Sequence, residues 1–378
     1  MRVSIVVTYH SGRTLLRSCL ESLLRTTDAS VEIVLVMNNA DARELVCPLD
    51  DPRLRVLAIE KNLGQAAAAN AGAAAARGDR FVFTDHDVVF CDGWLDAVQR
   101  LHERTDAAGA TGVRVANPHT LRVLDFGIGF SRMNAPHPHM DQRLDSPLVS
   151  TERSVQAMCS SGLTMDRAVF EQLGGFDEEL GNFYADIDLC LRLKDLGRGC
   201  RVAPDALAYH FGGDFSHIGR SYKAGFLKSD VKAWFRAKNY ARIAVDMERY
   251  YDESWRHLLA CGASLETEYV GCSLMNVADP AWYVGVLSQY TRVIDVAYLP
   301  SGNRDASAES LYDALGYDYL KLRFPIAYFV DRFVSVGGNG LWWQQRAGRS
   351  DIAVDRNGNV MPVAQLLATD TASSSSRR

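Results

Sequence analysis

The stretch that decides the fold reads FVFTDHDVVF and runs from Phe81 to Phe90. It begins as an apolar, aromatic-rich strand and then carries two carboxylates separated by one residue. Alternate side chains of a strand point to the same face, so Asp85 and Asp87 should project together. Converging carboxylates are costly unless a cation neutralises them, and Mg²⁺ and Mn²⁺ prefer such hard oxygen ligands. The stretch therefore predicts a divalent-metal site, with a solvated acidic turn as the alternative.

Strands and helices alternate around this stretch. Short apolar runs are typical of buried parallel strands, and alanine- or leucine-rich segments are typical of helices. The strands are expected at Val3–Thr8, Glu32–Met37, Leu54–Ile59 and Phe81–Phe90, and the helices at Thr14–Leu24 and Ala66–Ala76. This order predicts an α/β fold with a doubly wound, mostly parallel sheet, in which ligands collect at the carboxyl ends of the strands.

Composition narrows the class of protein. The chain has 378 residues, 47% of them hydrophobic, and a formal net charge of -5, which argues against nucleic acid as a partner. Its eight cysteines are scattered without a C-x-x-C pair, which favours free thiols in a reducing compartment. With no apolar run of membrane-spanning length, we expect a cytoplasmic protein without a transmembrane segment.

Two common phosphate-binding motifs are missing. The sequence has neither G-x-G-x-x-G after the first strand nor G-x-x-x-x-G-K-[ST] anywhere, so a bound nucleotide would be held through strand ends and a metal. A third helix is expected at Trp94–His102, and the proline-rich segment after it carries His119, His137 and His139. These histidines indicate either a metal site or a loop over the active site, and the intervening prolines favour the loop.

From Val3 to Asp214 the chain resembles the family 2 glycosyltransferases of the GT-A fold, a Rossmann-like fold of nucleotide-diphospho-sugar transferases. The likeness is strongest to the rhamnosyltransferase and galactofuranosyltransferase branch. The segments that carry it are Val6-Val7-Thr8-Tyr9, Asn38, Asn62-Leu63-Gly64 with Asn70 and Gly72, Asp85-His86-Asp87, Gly174-Gly175-Phe176-Asp177, Ala185-Asp186-Ile187-Asp188-Leu189-Cys190-Leu191-Arg192, and His210. Each segment is common, but their joint order and spacing are specific.

The resemblance implies an inverting transfer of a sugar from a UDP-, dTDP- or GDP-linked donor to a hydroxyl group of a glycan or small molecule. It assigns Mn²⁺ or Mg²⁺ to Asp85, Asp87 and His210, and the role of general base to Asp186. The donor-binding positions that it implies are Thr8, Tyr9, Asn38, Asn62, Gly64, Asn70 and Asp85. The acceptor-binding positions are Asp188, Arg192 and Asp214.

Two departures from the family pattern leave alternatives open. Ala185 stands where the family often has Glu before the base, and Met37 stands where it often has Asp. The site residues also have structural explanations. Asp186, for example, lies where acidic residues are favoured, in the first turn of a predicted helix. The rivals are a catalytically silent nucleotide-sugar-binding or assembly protein and a sugar nucleotidyltransferase.

The sequence also predicts a division of the chain. Residues 1–220 are expected to form the GT-A domain, 221–365 a mainly helical accessory region, and 366–378 a disordered tail rich in serine. The aromatic content of the accessory region predicts that it shapes the acceptor site and mediates homo-oligomer formation.

Overall fold

The chain forms two compact units, Met1–Tyr250 and Tyr251–Arg378. The computed structural model describes residues 2–38, 51–104, 108–130, 137–140, 142–181, 183–212, 231–244, 246 and 249–250 of the first unit, and residues 253, 257, 270–273, 293–295, 332–336, 352–354 and 360–362 of the second. Asp214 and the predicted tail at 366–378 lie outside these residues. Within them, no helix is both long and apolar enough to cross a membrane.

The first unit is built on a ten-stranded mixed sheet. Its strands are β1 (Val3–Tyr9), β2 (Glu32–Asn38), β3 (Leu54–Ile59), β4 (Arg80–Asp85), β5 (Val88–Phe90), β6 (Ala108–Asn117), β7 (Arg122–Asp125), β8 (Arg153–Val155), β9 (Leu163–Asp166) and β10 (Gly199–His210). Their order is β3-β2-β1-β4-β9-β6-β10-β5, with β7 beside β6 and β8 beside β10. The first four strands in this order are parallel, as the sequence predicts, and β9 and β5 join the sheet antiparallel.

Helices cover both faces of the sheet. They are α1 (Arg13–Thr26), α2 (Gln65–Ala75), α3 (Trp94–Arg104), α4 (Arg167–Gln172), α5 (Ala185–Arg192) and α6 (Val231–Asn239). Strand β1 is buried along its whole length, and its alternate side chains enter two separate cores. Val6 packs in the core of α2, whereas Val7 packs in the core of α1 and α3. The predicted α/β, doubly wound architecture is confirmed.

Helix α2 packs unusually close to the sheet. A Cβ atom at Gly72 would lie 2.4 Å from Val6 Cγ1 and 2.8 Å from Val36 Cγ2, so only glycine fits this position without a shift of its neighbours. The buried alanines of α2 serve the same close approach. As a result, the N-terminal residue of the helix, Gln65, lies at the carboxyl ends of β1 and β4.

The pairing of β10 with β5 brings the end of β10 next to Asp87. His210 at the end of β10 pairs antiparallel with Val88, the residue after Asp87. The backbone N–H of Phe211 also donates to the carbonyl oxygen of Asp87 at 2.9 Å. Residues more than 120 positions apart in the sequence are thus placed side by side.

The described residues of the second unit include a five-stranded sheet. Its strands are β11 (Val270–Ser273), β12 (Val293–Asp295), β13 (Arg332–Val336), β14 (Ile352–Val354) and β15 (Val360–Pro362), in the order β12-β11-β13-β14-β15. The sequence predicts a mainly helical region at residues 221–365 and does not predict this sheet. Strands of three to five residues are too short to show a clear hydrophobic period. Helix α6, which the sequence division placed in the accessory region, belongs to the first unit.

Candidate active site

The two acidic residues after β4 come together with a histidine. One potential ligand atom from each of Asp85, Asp87 and His210 lies within 4.8 Å of the others. His210 Nε2 is 3.3 Å from Asp87 Oδ1. The cluster stands at the carboxyl end of a central parallel strand, which is where open α/β sheets bind ligands.

The two carboxylates have different electrostatic environments. Burial, followed by the charge of Asp87, raises the pKa of Asp85. Burial would also raise the pKa of Asp87, but the adjacent His210 outweighs it and lowers that pKa below the usual range. Like charges at such close range repel each other. The pair therefore needs a cation if both groups are to be ionised.

The chemistry of the cluster fits a divalent ion. Asp87 Oδ1 is buried, and among the described residues its neighbour His210 Nε2, at 3.3 Å, is not aligned for a hydrogen bond, although buried carboxylate oxygens are normally satisfied. Two carboxylates and one imidazole form a donor set suited to Mn²⁺, and the carboxylates suit Mg²⁺ as well. Asp85, Asp87 and His210 are the residues that would hold it.

Asp85 is connected to Asp186 through Gln65 and Ser160. Gln65 Nε2 donates to Asp85 Oδ1 at 2.5 Å and to Ser160 Oγ at 3.3 Å. The backbone N–H of Ser160 donates to Asp186 Oδ2 at 3.0 Å. Thr8 Oγ1 donates to the same oxygen of Asp85 at 3.0 Å. Asp85 and the predicted base therefore belong to one hydrogen-bonded network.

Asp186 has the properties of a poised base. It lies in the first turn of α5 and lines a small cavity together with Thr8, Gln65, Ser160 and Phe176. Burial raises its pKa to about 6, partly opposed by the backbone N–H groups of Ile187 and Ser160. A carboxylate of this kind is ionised at neutral pH and still basic enough to take a proton from a hydroxyl group.

Several predicted donor-binding residues form the loop before α2. Asn38 Nδ2 donates to Asn62 Oδ1 at 3.0 Å and to the Gly64 carbonyl at 3.2 Å, and Asn38 Oδ1 accepts from Leu63 N–H at 2.9 Å. Gly64 has a φ of 83°, where glycine is favoured. Tyr9 is buried in the core of α1, with its ring edge against His86 at 5.1 Å between centroids. These contacts fix the turn that leads into Gln65 and place Tyr9 in the core beside His86.

Asn70 holds a different turn. Its Nδ2 donates to the Phe176 carbonyl and its Oδ1 accepts from Phe176 N–H, both at 2.9 Å. A Cβ at Gly175, where φ is 75°, would approach Asn70 Oδ1 to 2.7 Å. The side chain thus clamps the Gly174–Phe176 turn to α2. Because Phe176 lines the cavity beside Asp186, Asn70 acts on the site through this turn.

The predicted acceptor residues Asp188 and Arg192 are paired with each other inside the protein. Asp188 is fully buried, and its Oδ2 accepts from Arg192 Nε at 2.7 Å. The two terminal nitrogens of Arg192 donate to the carbonyls of Leu173 and Gly175 at 2.6 and 2.7 Å. These contacts place both residues as anchors of α5. The third predicted acceptor residue, Asp214, lies outside the described residues.

Two residues of the network, Gln65 and Ser160, were not predicted from the sequence. Gln65 directly follows Gly64, so its place at the start of α2 was a usable signal. Ser160 lies in a segment without a motif, and only long-range pairing brings it to the site.

The comparisons with known proteins agree with this geometry. A family model described as glycosyl transferase family 2 matches residues 4–163. Those residues belong to glycosyl transferase family 2. With the observed sheet, this confirms the GT-A fold class for the first unit. The matched segment contains Asp85 and Asp87 and ends before Asp186 and His210, so the placement of the last two rests on the structure.

Related proteins match part of the chain. The O-antigen biosynthesis protein RfbC of Myxococcus xanthus is 32% identical over 212 residues, which are 53% of this chain and 16% of that protein. An N-acetylglucosaminyl-diphospho-decaprenol L-rhamnosyltransferase of Mycobacterium tuberculosis (strain CDC 1551 / Oshkosh) is 28% identical over 264 residues, which are 62% of this chain and 86% of that protein. A crystal structure of GalNAc-T7 with UDP, GalNAc and Mn2+ aligns with a TM-score of 0.45 and 15% identity, covering 69% of this chain and 57% of that one. The chain spans less than a third of the length of the first three curated relatives that it matches.

Proposed function

We propose that the protein is an inverting, metal-assisted glycosyltransferase that moves a sugar from a nucleotide-diphosphate donor to a hydroxyl acceptor. The observation that carries the proposal is the network joining the Asp85, Asp87 and His210 cluster to Asp186 through Gln65 and Ser160. A diphosphate site and a base for the acceptor are the two parts that a single displacement requires. The family 2 domain supports the same chemistry.

Each part of the network has a role in this reaction. Asp85, Asp87 and His210 would hold Mn²⁺ or Mg²⁺, which when bound offsets the charge that develops on the diphosphate leaving group. Asp186 removes the proton of the acceptor hydroxyl as the new bond to C1 of the sugar forms and the bond from C1 to the diphosphate breaks. The attack comes from the face opposite the diphosphate, so the anomeric configuration inverts. The displacement needs no nucleophile from the protein.

The donors to be considered are UDP-, dTDP- and GDP-linked sugars, and the acceptor is a glycan or a small molecule. The likeness to a protein named as an L-rhamnosyltransferase favours a deoxyhexose donor. Free cysteines among the described residues, such as the buried Cys19 and Cys190, support the cytoplasm as the compartment. We further propose that residues beyond 250 serve acceptor recognition and self-association. A protein truncated after Tyr250 should then fail to use acceptors or to stay soluble.

The second candidate function is a silent nucleotide-sugar-binding protein, which Ala185 and Met37 favour because they replace acidic residues of the family pattern. A third, sugar nucleotidyltransferase activity, has less support, since the loop after β1 offers only Gly12 where that class has a glycine-rich loop.

A donor screen separates these functions. Hydrolysis of UDP-, dTDP- and GDP-sugars is measured with Mn²⁺ and with EDTA, using Asp186→Asn as the matched inactive control. Metal-dependent release of the nucleoside diphosphate from one donor is expected, lost in the control. Donor binding without any release supports the silent binder, and release of pyrophosphate from a nucleoside triphosphate and a sugar phosphate supports the nucleotidyltransferase.

A further inference from the structure

Asp125 and His137 form a second polar pair next to the network. His137 Nδ1 lies 3.0 Å from Asp125 Oδ1. Asp125 is buried, and its two oxygens also accept backbone N–H groups, from Gly127 at 2.9 Å and from Cys159 at 3.2 Å. The carboxylate is therefore fixed in position by the chain around it, and the imidazole is the side chain that it orients.

Two successive backbone amides place this pair beside the base. Cys159 N–H donates to Asp125, and Ser160 N–H donates to Asp186 at 3.0 Å. Adjacent amide nitrogens are less than about 4 Å apart, so the two accepting oxygens lie within about 10 Å of each other. Asp125 is also one of the charges that raise the pKa of Asp186. The two carboxylates share one environment.

The tautomer of His137 follows from its partner. Burial would raise the pKa of Asp125, but His137 and the hydrogen bond to it keep that pKa below the usual value, so Asp125 is ionised and can only accept. Nδ1 of His137 must then carry the proton, which leaves Nε2 as the ring nitrogen that can meet a ligand. The side chain is 30% exposed. Within the described residues, no group forms a hydrogen bond with Nε2.

We propose that His137, oriented by Asp125, binds a hydroxyl group of the acceptor beside Asp186. The inference rests on the proposed function and names a specificity residue for it. A hydroxyl group of a sugar ring both donates and accepts, so it can form a hydrogen bond with Nε2 while a neighbouring hydroxyl group meets the base. The pair is poorly suited to a second metal, since both oxygens of Asp125 already accept backbone hydrogen bonds.

The test compares two substitutions that separate the nitrogens of the imidazole. In His137→Asn the amide can reproduce Nδ1 and keep the bond to Asp125, whereas His137→Gln reaches the position of Nε2. Transfer to a panel of methyl and p-nitrophenyl glycosides is measured against hydrolysis of the same donor. Asp145→Asn, at an exposed aspartate paired with Arg143, is the control variant.

We expect His137→Asn to raise the acceptor KM about tenfold, the scale of one hydrogen bond. Donor hydrolysis should stay within about twofold, and His137→Gln should recover part of the loss. Equal losses of transfer and hydrolysis in His137→Asn, or an unchanged acceptor KM, overturn the inference while the proposed function stands. Absence of both activities in the wild-type protein overturns the proposed function itself, and the inference with it.

Discussion

Asp188 Oδ1 accepts a hydrogen bond from Asn239 Nδ2 at 2.7 Å, and both side chains are fully buried. Lys238 Nζ lies 2.9 Å from the same oxygen. Arg192 occupies the other oxygen of the carboxylate. Helix α6 is therefore bound to α5 through the carboxylate of Asp188, which lies two residues after Asp186. These contacts hold the helix that carries the predicted base against α6.

Removing the charge of Asp188 should destabilise the protein. Asp188→Asn keeps the size of the side chain but leaves Arg192 without its anion and Lys238 with Asp177 as its remaining partner, and breaking a buried pair costs about 3–5 kcal/mol. We expect the free energy of unfolding in urea to fall by about 3 kcal/mol.

Asp195→Asn is the matched control for Asp188→Asn, because Asp195 pairs with Arg242 at a more exposed position. Surface pairs of this kind contribute about 1 kcal/mol or less. Equal losses of unfolding free energy in the two variants would show that the Asp188 junction contributes no more to stability than a surface ion pair.

The turn clamped by Asn70 gives a second prediction. Gly174 and Gly175 have nearly equal φ values of 76° and 75°, so alanine is strained at both. A Cβ at Gly174 meets nothing within 4 Å, whereas at Gly175 it meets Asn70 Oδ1. Gly174→Ala should cost about 1 kcal/mol of unfolding free energy, and Gly175→Ala should cost more and also lower activity. Similar costs for both in urea unfolding would contradict the clamp.

The sequence predicted the elements of this fold better than their pairing. The apolar residues of β1 and the alanines of α2 predict a strand and a helix from local sequence alone. The apolar residues 81–83 likewise predict that Asp85 and Asp87 lie at the end of a strand. His210 joined them only through resemblance, because the pairing of β10 with β5 is a long-range event.

The roles of single polar residues were harder to predict than the elements. The sequence alone cannot tell whether Asp188 and Arg192 bind the acceptor or anchor the helix. Both roles are compatible with their positions in the first and last turns of α5. The distinction depends on Asn239 and Lys238, about fifty residues away. Gln65 and Ser160 carry no signal of their own chemistry until the fold brings them between Asp85 and Asp186.

Metal binding should depend on Asp87. Asp87→Asn keeps the shape of the side chain and removes a charge that would offset the cation, so heat released on titrating Mn²⁺ should disappear in calorimetry. Asp92→Asn, at an exposed aspartate paired with Arg25, should bind Mn²⁺ like the wild type. Full transfer activity of the wild-type protein in EDTA would refute the metal role.

The pH dependence of transfer should report on Asp186. Its pKa is raised to about 6 by burial, and only the ionised form can take the proton of the acceptor. The rate should therefore rise with pH through about 6 and then level off, measured as kcat with saturating donor. A rate that stays flat between pH 5 and pH 8 would exclude this residue as the base.

Substitution of Asp186 should separate chemistry from binding and from stability. Asp186→Asn cannot accept the proton, so transfer should fall by roughly a hundredfold or more while donor affinity persists. Because the folded pKa lies above the ordinary value of 3.8, the folded protein binds more protons than the unfolded chain between those pH values, and stability falls as pH rises through that window. The asparagine variant lacks this loss, so at pH 7.5 it should unfold in urea no more easily than the wild type, unlike Asp188→Asn. If Asp186→Asn keeps near wild-type turnover, or loses activity only in proportion to a loss of folded protein, Asp186 is not the base.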